Sequence, residues 1–363
     1  MRIVRNIIKS LVVVVNILCV LAMLFCAYCP YINPQMHPAL SCCGLAFPIA
    51  LGVNLLFILF WLLFGRKLTL ISIVGMLCCA HAVWTTCPLN LVQGDLPEEH
   101  LKILSYNVMA FDDNKPHTEE EPNPVLAYLQ KSNADIICLQ EYITGANLKK
   151  KQIDEALKDY KYSHFHRIAG GLNGLGCYSR YPIISATPVD YPSRANGSIV
   201  YKIKVGKDTL TVINNHLESN RLTTSDRSSY QKIIEEPETE RVKVDSRKLI
   251  HKLQETVPLR AVQADTIARL VERQGAHNLV VCGDFNTSAI SYAHRVISGR
   301  LTDAFTQSGQ GLGISYHKNY FLFRIDHILV SPDLKTSRCT VDVSIIDSDH
   351  YPIWCYIYPK RVH

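Results

Sequence analysis

Hydrophobic positions along the first 90 residues are continuous rather than periodic. Three apolar stretches, 10–29, 39–64 and 68–87, contain no acidic or basic residue. Each is about 20 residues or longer, enough to cross roughly 30 Å of hydrocarbon as a helix. A cleaved signal would have a shorter core and no further spans behind it, so three crossings are expected. From Leu101 the pattern changes to short apolar runs bounded by turn formers, as in strands. Strands are predicted over 102–108, 135–140, 175–179, 199–205, 209–215, 279–283, 325–330, 340–345 and 353–358, with a hairpin turn at Gly206, Lys207 and Asp208. Helices are predicted over 124–131, 148–159, 261–273 and 288–297. This order predicts two packed sheets flanked by helices. Residues 217–260 break the rhythm, being polar and dense in both charge signs. The segment is too long for a plain connection and reads either as an insertion forming helices or a lid, or as a solvated loop. The chain thus divides into a membrane region, 1–92, and a soluble domain, 97–363.

Charge sharpens this division. The basic residues before Asp95 are Arg2, Arg5, Lys9, Arg66 and Lys67, so most of the net charge of +6 flanks the apolar stretches. The soluble part is nearly neutral, which argues against a strongly basic nucleic-acid surface. The loop near 30–38 has no Lys or Arg, so the positive-inside rule puts the N-terminus and the 65–67 loop in the cytoplasm. Three crossings then leave the soluble domain on the outer side of the inner or plasma membrane, periplasmic or extracellular. The cysteines pull the other way. Cys138, Cys177, Cys282, Cys339 and Cys355 form no CxxC pair and sit in apolar runs. They read as buried thiols, which are commoner in reducing compartments.

Candidate chemistry gathers at the ends of predicted strands. Asn107 closes ILSYNV, Glu141 closes IICLQE and His216 follows TVINN. Asp284 and Asn286 follow LVVCG, Asp326 lies in RIDHILV, and Asp349 and His350 precede the last strand in SDHYPI. Any one of them suits a turn, a cap or a structural histidine. Their recurrence at successive strand ends points instead to one rim of acids, amides and imidazoles. In order and spacing, SYNV, LQE, GLGCYSRYPI, NNHLES, GDFN, RIDHILVS and SDHYPI resemble the motif series of the endonuclease/exonuclease/phosphatase superfamily. That resemblance spans about Leu101 to Tyr358 and implies an α/β fold, a four-layer α/β/β/α sandwich of the deoxyribonuclease I type, here in a membrane-anchored bacterial member.

By the same resemblance, Glu141, with Asn107 and Asp349, would hold a divalent metal, Mg²⁺ or Mn²⁺, and hard oxygen ligands suit such an ion. His350 would be the general base, with Asp326 fixing its tautomer. Asp284 would protonate the leaving oxygen or position the nucleophile, while Asn286 and His216 would bind phosphoryl oxygens. Arg180 lies in the matching SRYP segment, which reads mainly as a fold element, with Arg180 as a candidate phosphate contact. AP endonucleases carry a tyrosine where His216 falls, which argues against abasic-site repair. The expected function is metal-dependent phosphoester hydrolysis. The substrate stays open between nucleic acid and a phospholipid or phosphosugar head group. Arg241, Lys243, Arg247, Lys248 and Lys252 favour the former, and the bilayer anchor favours the latter. An inactive binding module and a structural metal site are the rivals from other classes, and no obligate protein partner is evident.

Overall fold

The computed structural model describes residues 2–168, 173–220, 240–318 and 322–360, together with Asp226, Ser228, Gln231 and Glu235. Side chains alternate across a strand, and that alternation builds the layers. One sheet holds β1 (Leu101–Asn107), β2 (Ile136–Gln140), β3 (Tyr162–Arg167), β4 (Gly174–Ser179), β11 (Leu334–Val341) and β12 (Ile353–Pro359), in the order β11-β12-β1-β2-β4-β3. The other holds β5 (Ile183–Pro188), β6 (Gly197–Val205), β7 (Asp208–His216), β8 (Leu279–Asp284), β9 (Thr302–Asp303) and β10 (Asp326–Val330), in the order β5-β6-β7-β8-β10-β9. Each sheet has one parallel pair, β1 with β2 and β7 with β8.

Ile103, Ile136, Cys138, Val212, Val280 and Cys282 face inward and fill the space between the sheets. Their chain neighbours Leu104, Ile137 and Leu139 face outward, beneath the helix Pro124–Lys131 and the helix Lys150–Ala156. On the far side Ile213, Leu279 and Val281 lie beneath the helices Glu240–Arg273 and Tyr292–Ser298. The fold is therefore the expected α/β/β/α sandwich with an N-terminal helical region. The five cysteines of this part are buried and unbridged.

Element bounds depart from expectation at the sheet margins. The strand expected over 340–345 lies upstream at Leu334–Val341, because Thr336 and Ser337 are buried despite their polarity and a bulge separates Ser337 from Thr340. β3, β5 and β9 had no predicted counterpart. The helix expected over 261–273 begins at Glu240, so the second half of the expected insertion is helical, while most of 221–239 lies outside the described residues.

Two N-terminal helices, within Ile3–Tyr31 and Pro38–Phe64, are long and apolar enough to cross a membrane. The third stretch forms two helices, within Arg66–Cys78 and Ala80–Thr86, bent by 77°. The sandwich sits against one end of this bundle. Arg295 donates to the Pro30 carbonyl at 2.9 Å, Arg324 donates to the Thr85 carbonyl at 2.6 Å, and Ile290 packs among Met23, Phe47 and Leu51. Lys9 and the Gly65 turn lie together, at the opposite end of the first two helices.

Candidate functional site

The two parallel pairs end on the same rim, and this brings the strand-end residues together. Asn107 ends β1, Glu141 follows β2, His216 ends β7 and Asp284 ends β8. The antiparallel strands β10 and β12 start at that rim, so Asp326 and His350 arrive from the opposite chain direction. Beneath them a buried amide layer locks sheet to sheet, with Gln140 donating to Asn214 Oδ1 at 2.7 Å. Gly283 is required by this geometry. Its φ is +130°, and a Cβ there would stand 1.9 Å from the Asn215 carbonyl oxygen. Glu141 and Asn286 hold φ values of +50° and +52°. That region is uncommon for non-glycine residues and concentrates at functional sites.

Asp284 is the hub. Its Oδ2 accepts from Asn107 Nδ2 at 3.1 Å and lies 3.6 Å from both His216 Nε2 and His350 Nε2. Its Oδ1 accepts from the Asn286 backbone at 2.7 Å. His350 Nδ1 meets Asp326 Oδ2 at 2.7 Å, which leaves Nε2 turned to Asp284. Glu141 Oε1 lies 4.0 Å from His216 Nε2, and Asp349 lines the same cavity. The Asn286 side chain donates to the Leu217 carbonyl at 2.9 Å. Arg180 is not brought here. It pairs with Asp135 and Asn133 at the opposite end of β2 from Glu141.

Burial and charge compete in this cluster. Burial raises the Asp284 pKa above the ordinary carboxylate value and lowers that of His216. Burial would also lower His350, but Asp326 and Asp284 outweigh it and raise its pKa to about 10. His216 Nε2 and Asp326 Oδ1 are buried with no hydrogen-bond partner, an arrangement that costs free energy unless a ligand completes it. Ligand atoms of Asp284, Asp326 and His350 lie within 4.8 Å of one another. Together with Glu141, Asp349 and Asn107 they make an oxygen-rich set that fits a hard divalent cation. A second convergence of His294, Asp303 and His327 differs, because Arg324 already occupies Asp303 Oδ2 at 3.0 Å and serves as the cation.

Sequence reasoning missed several supports. Asn173 Nδ2 meets His216 Nδ1 at 3.2 Å, Ser348 Oγ donates to the Asn107 carbonyl at 2.8 Å, and the Tyr316 ring sits edge-on to His350 at 5.0 Å. Arg260, from the long helix, is buried in the same cavity and donates to the Glu218 carbonyl at 2.9 Å. Of these only Ser348 lay within a recognised motif, SDHYPI, and Arg260 lay in the segment read as an insertion.

Acids, amides and imidazoles gathered at one rim of a two-sheet sandwich can carry hydrolytic chemistry. The model of the Endonuclease/Exonuclease/phosphatase family matches residues 104–350, and the chain belongs to that family, whose members hydrolyse phosphoester bonds. Residues 9–86 match a second family, a domain of unknown function (DUF8431). A DNA-(apurinic or apyrimidinic site) endonuclease of Dictyostelium discoideum is 33% identical over 94 residues, 25% of this chain and 23% of that protein. The chain thus matches under a quarter of that relative's length. The human Nocturnin catalytic domain superposes with a TM-score of 0.51 at 16% identity, over 74% of this chain and 97% of that one. An endonuclease/exonuclease/phosphatase from Beutenbergia cavernae DSM 12333 gives 0.50 at 14% identity, over 72% of each. Both likenesses are of fold.

Proposed function

We propose that the chain is a bacterial membrane-anchored phosphoesterase that uses a divalent metal, Mg²⁺ or Mn²⁺, with its sandwich on the outer side of the membrane. The observation that carries the catalytic reading is the buried chain Asp326–His350–Asp284, whose imidazole Nε2 faces a cavity. Glu141, Asn107 and Asp349 would hold the metal. Bound there, the cation supplies countercharge to the phosphoryl oxygens and to the carboxylates that otherwise keep His350 protonated.

His350 Nε2 takes a proton from water as the water oxygen bonds phosphorus, and Asp326 holds the imidazole through Nδ1. The bond from phosphorus to the leaving oxygen breaks, and that oxygen gains a proton from Asp284, whose raised pKa suits a donor. His216 and Asn286 bind the phosphoryl oxygens as their charge grows. The anchor reading rests on the two long apolar helices. The orientation rests on the position of Lys9 at the bundle end away from the sandwich.

The test is hydrolysis of bis-p-nitrophenyl phosphate by the full chain with and without Mg²⁺. Turnover should need the metal and should vanish in Glu141→Gln with the fold intact by circular dichroism. Metal-independent turnover would reject the cofactor assignment. Absence of turnover by the unaltered chain would favour a binding module.

A further inference from the structure

The cavity is too large and too apolar for a phosphate alone. It measures about 580 Å³, within the range of sites that hold a whole small molecule. Asp284, Asn286, Asp349 and His350 line its polar end. Its other walls come from two places that the catalytic reading leaves unused. Leu45 and Ile49 belong to the membrane region, and Ile49 lies in the first turn of the membrane-length helix Phe47–Phe64. Leu249, Leu253 and Val257, spaced four apart on the long helix Glu240–Arg273, form one apolar stripe. Ile49 is 71% exposed and Ile250 is 49% exposed. The apolar end therefore opens at the flank of a helix that would stand in lipid.

Arg260 stands between the two ends. It is 3% exposed, is held by the Glu218 carbonyl and Asn220 Oδ1, and adds a buried cation where an anionic group would lie. A molecule reaching from His350 to Ile49 must be anionic at one end and hydrocarbon at the other. A nucleic acid would have to lay charged phosphates against Leu45 and Ile49, at a desolvation cost with no partner in return.

We infer that the substrate is an amphiphilic phosphoester drawn from the bilayer, its phosphate at Asp284, His350 and Arg260 and its hydrocarbon along Leu45, Ile49, Leu249 and Leu253. This rests on the hydrolytic reading above and adds the substrate class to it. The scissile step is the same: water replaces one ester oxygen on phosphorus, and the two products divide between groove and solvent.

The experiment uses the full chain in lipid-free amphipol with Mg²⁺ on alkyl p-nitrophenyl phosphates from methyl to octyl, kept below aggregation. The kcat/KM should climb by up to about fourfold per methylene while the groove fills, the factor set by burying one CH₂. Octyl should exceed methyl by about 100-fold or more on the same basis. Ile250→Glu, at a half-exposed position whose change opens no core, should flatten that slope. Vesicles of phosphatidylethanolamine and phosphatidylglycerol should lose phosphoester headgroup faster than plasmid DNA is cut at equal phosphate. A flat alkyl series in an enzyme that turns over the methyl ester would overturn the amphiphile while sparing the hydrolase. Faster cleavage of DNA would also overturn it. No turnover of any ester, methyl included, would sink the hydrolytic reading and the amphiphile with it.

Discussion

Two buried polar networks in this chain are built to opposite rules. In the N-terminal helical bundle Asn16 Nδ2 donates to Ser72 Oγ at 2.8 Å, Trp61 Nε1 donates to Asn16 Oδ1 at 2.9 Å, and Ser72 Oγ donates to Asn54 Oδ1 at 3.1 Å. Asn54 Nδ2 completes the set on the Ala50 and Cys19 carbonyls. Every member is neutral, and none of these side chains is left without a partner. At the strand-end rim the members are ionisable, His216 Nε2 and Asp326 Oδ1 lack partners, and Asp284 is held away from its ordinary ionisation. A satisfied neutral network fixes how three helices pack. An incomplete charged one spends stability to stay ready for a ligand.

The largest break in this comparison comes at the rim. His350→Ala should cut kcat by about 10²- to 10⁴-fold, the usual contribution of a general base, on bis-p-nitrophenyl phosphate. The melting temperature should fall as well, because the substitution leaves the buried Asp326 and Asp284 without the imidazole between them. A loss of turnover no larger than the unfolded fraction accounts for would mean that the imidazole is structural and that the two networks obey one rule.

Next in size is the charged cluster where sandwich meets bundle. Asp303 Oδ2 takes both Arg324 Nη1 at 3.0 Å and His294 Nε2 at 3.1 Å, and Arg324 Nη2 reaches the Thr85 carbonyl. Burial alone would raise the Asp303 pKa, yet Arg324 and His294 hold it well below the carboxylate range. The Asp303–Arg324 pair is thus charged and satisfied, although His327 Nδ1 beside it has no partner. Arg324→Met leaves a buried carboxylate uncompensated and should destabilise by about 3–5 kcal/mol, read from chemical denaturation. The double change Asp303→Asn with Arg324→Met should cost less than the single one. If the two cost the same, Arg324 acts through its Thr85 contact instead.

The contrast also explains what was legible in the sequence. Central strands such as β2 and β8 are buried on both faces, so ADIICLQ and NLVVCGD announce themselves as apolar runs. The strands misplaced or missed, β3, β5, β9 and β11, are the four sheet edges. An edge strand has less to bury, and YSHFHR or LKTSRCTV carries too weak a pattern to separate from loop. The rim was readable because strand ends must carry their acids and imidazoles at fixed positions after each apolar run. Its supports were not. Asn173, Ser348 and Arg260 reach His216, Asn107 and the cavity through tertiary contacts that no local spacing records. Arg180 shows the converse, since a family-like segment placed it among candidates while pairing with Asp135 holds it at the wrong end of β2.

The smallest expected effect lies in the neutral network. Asn16→Leu keeps the volume and apolarity that a membrane helix tolerates but strips the acceptor from Trp61 and the donor from Ser72. Interhelical hydrogen bonds of this kind contribute about 0.6–2 kcal/mol each, so thermal unfolding in detergent should shift by a few degrees at most, on the scale of that loss. Catalysis should respond in a particular way. The rim does not touch Asn16, so kcat on the methyl p-nitrophenyl ester per folded molecule should hold. Ile49 and Leu45, in contrast, follow the helix that Trp61 anchors to Asn16 directly and Asn54 through Ser72. Discrimination for the octyl ester should therefore weaken as that wall loosens. If Asn16→Leu lowers methyl and octyl turnover by the same factor, the bundle acts on the rim as a whole and not as one wall of the cavity.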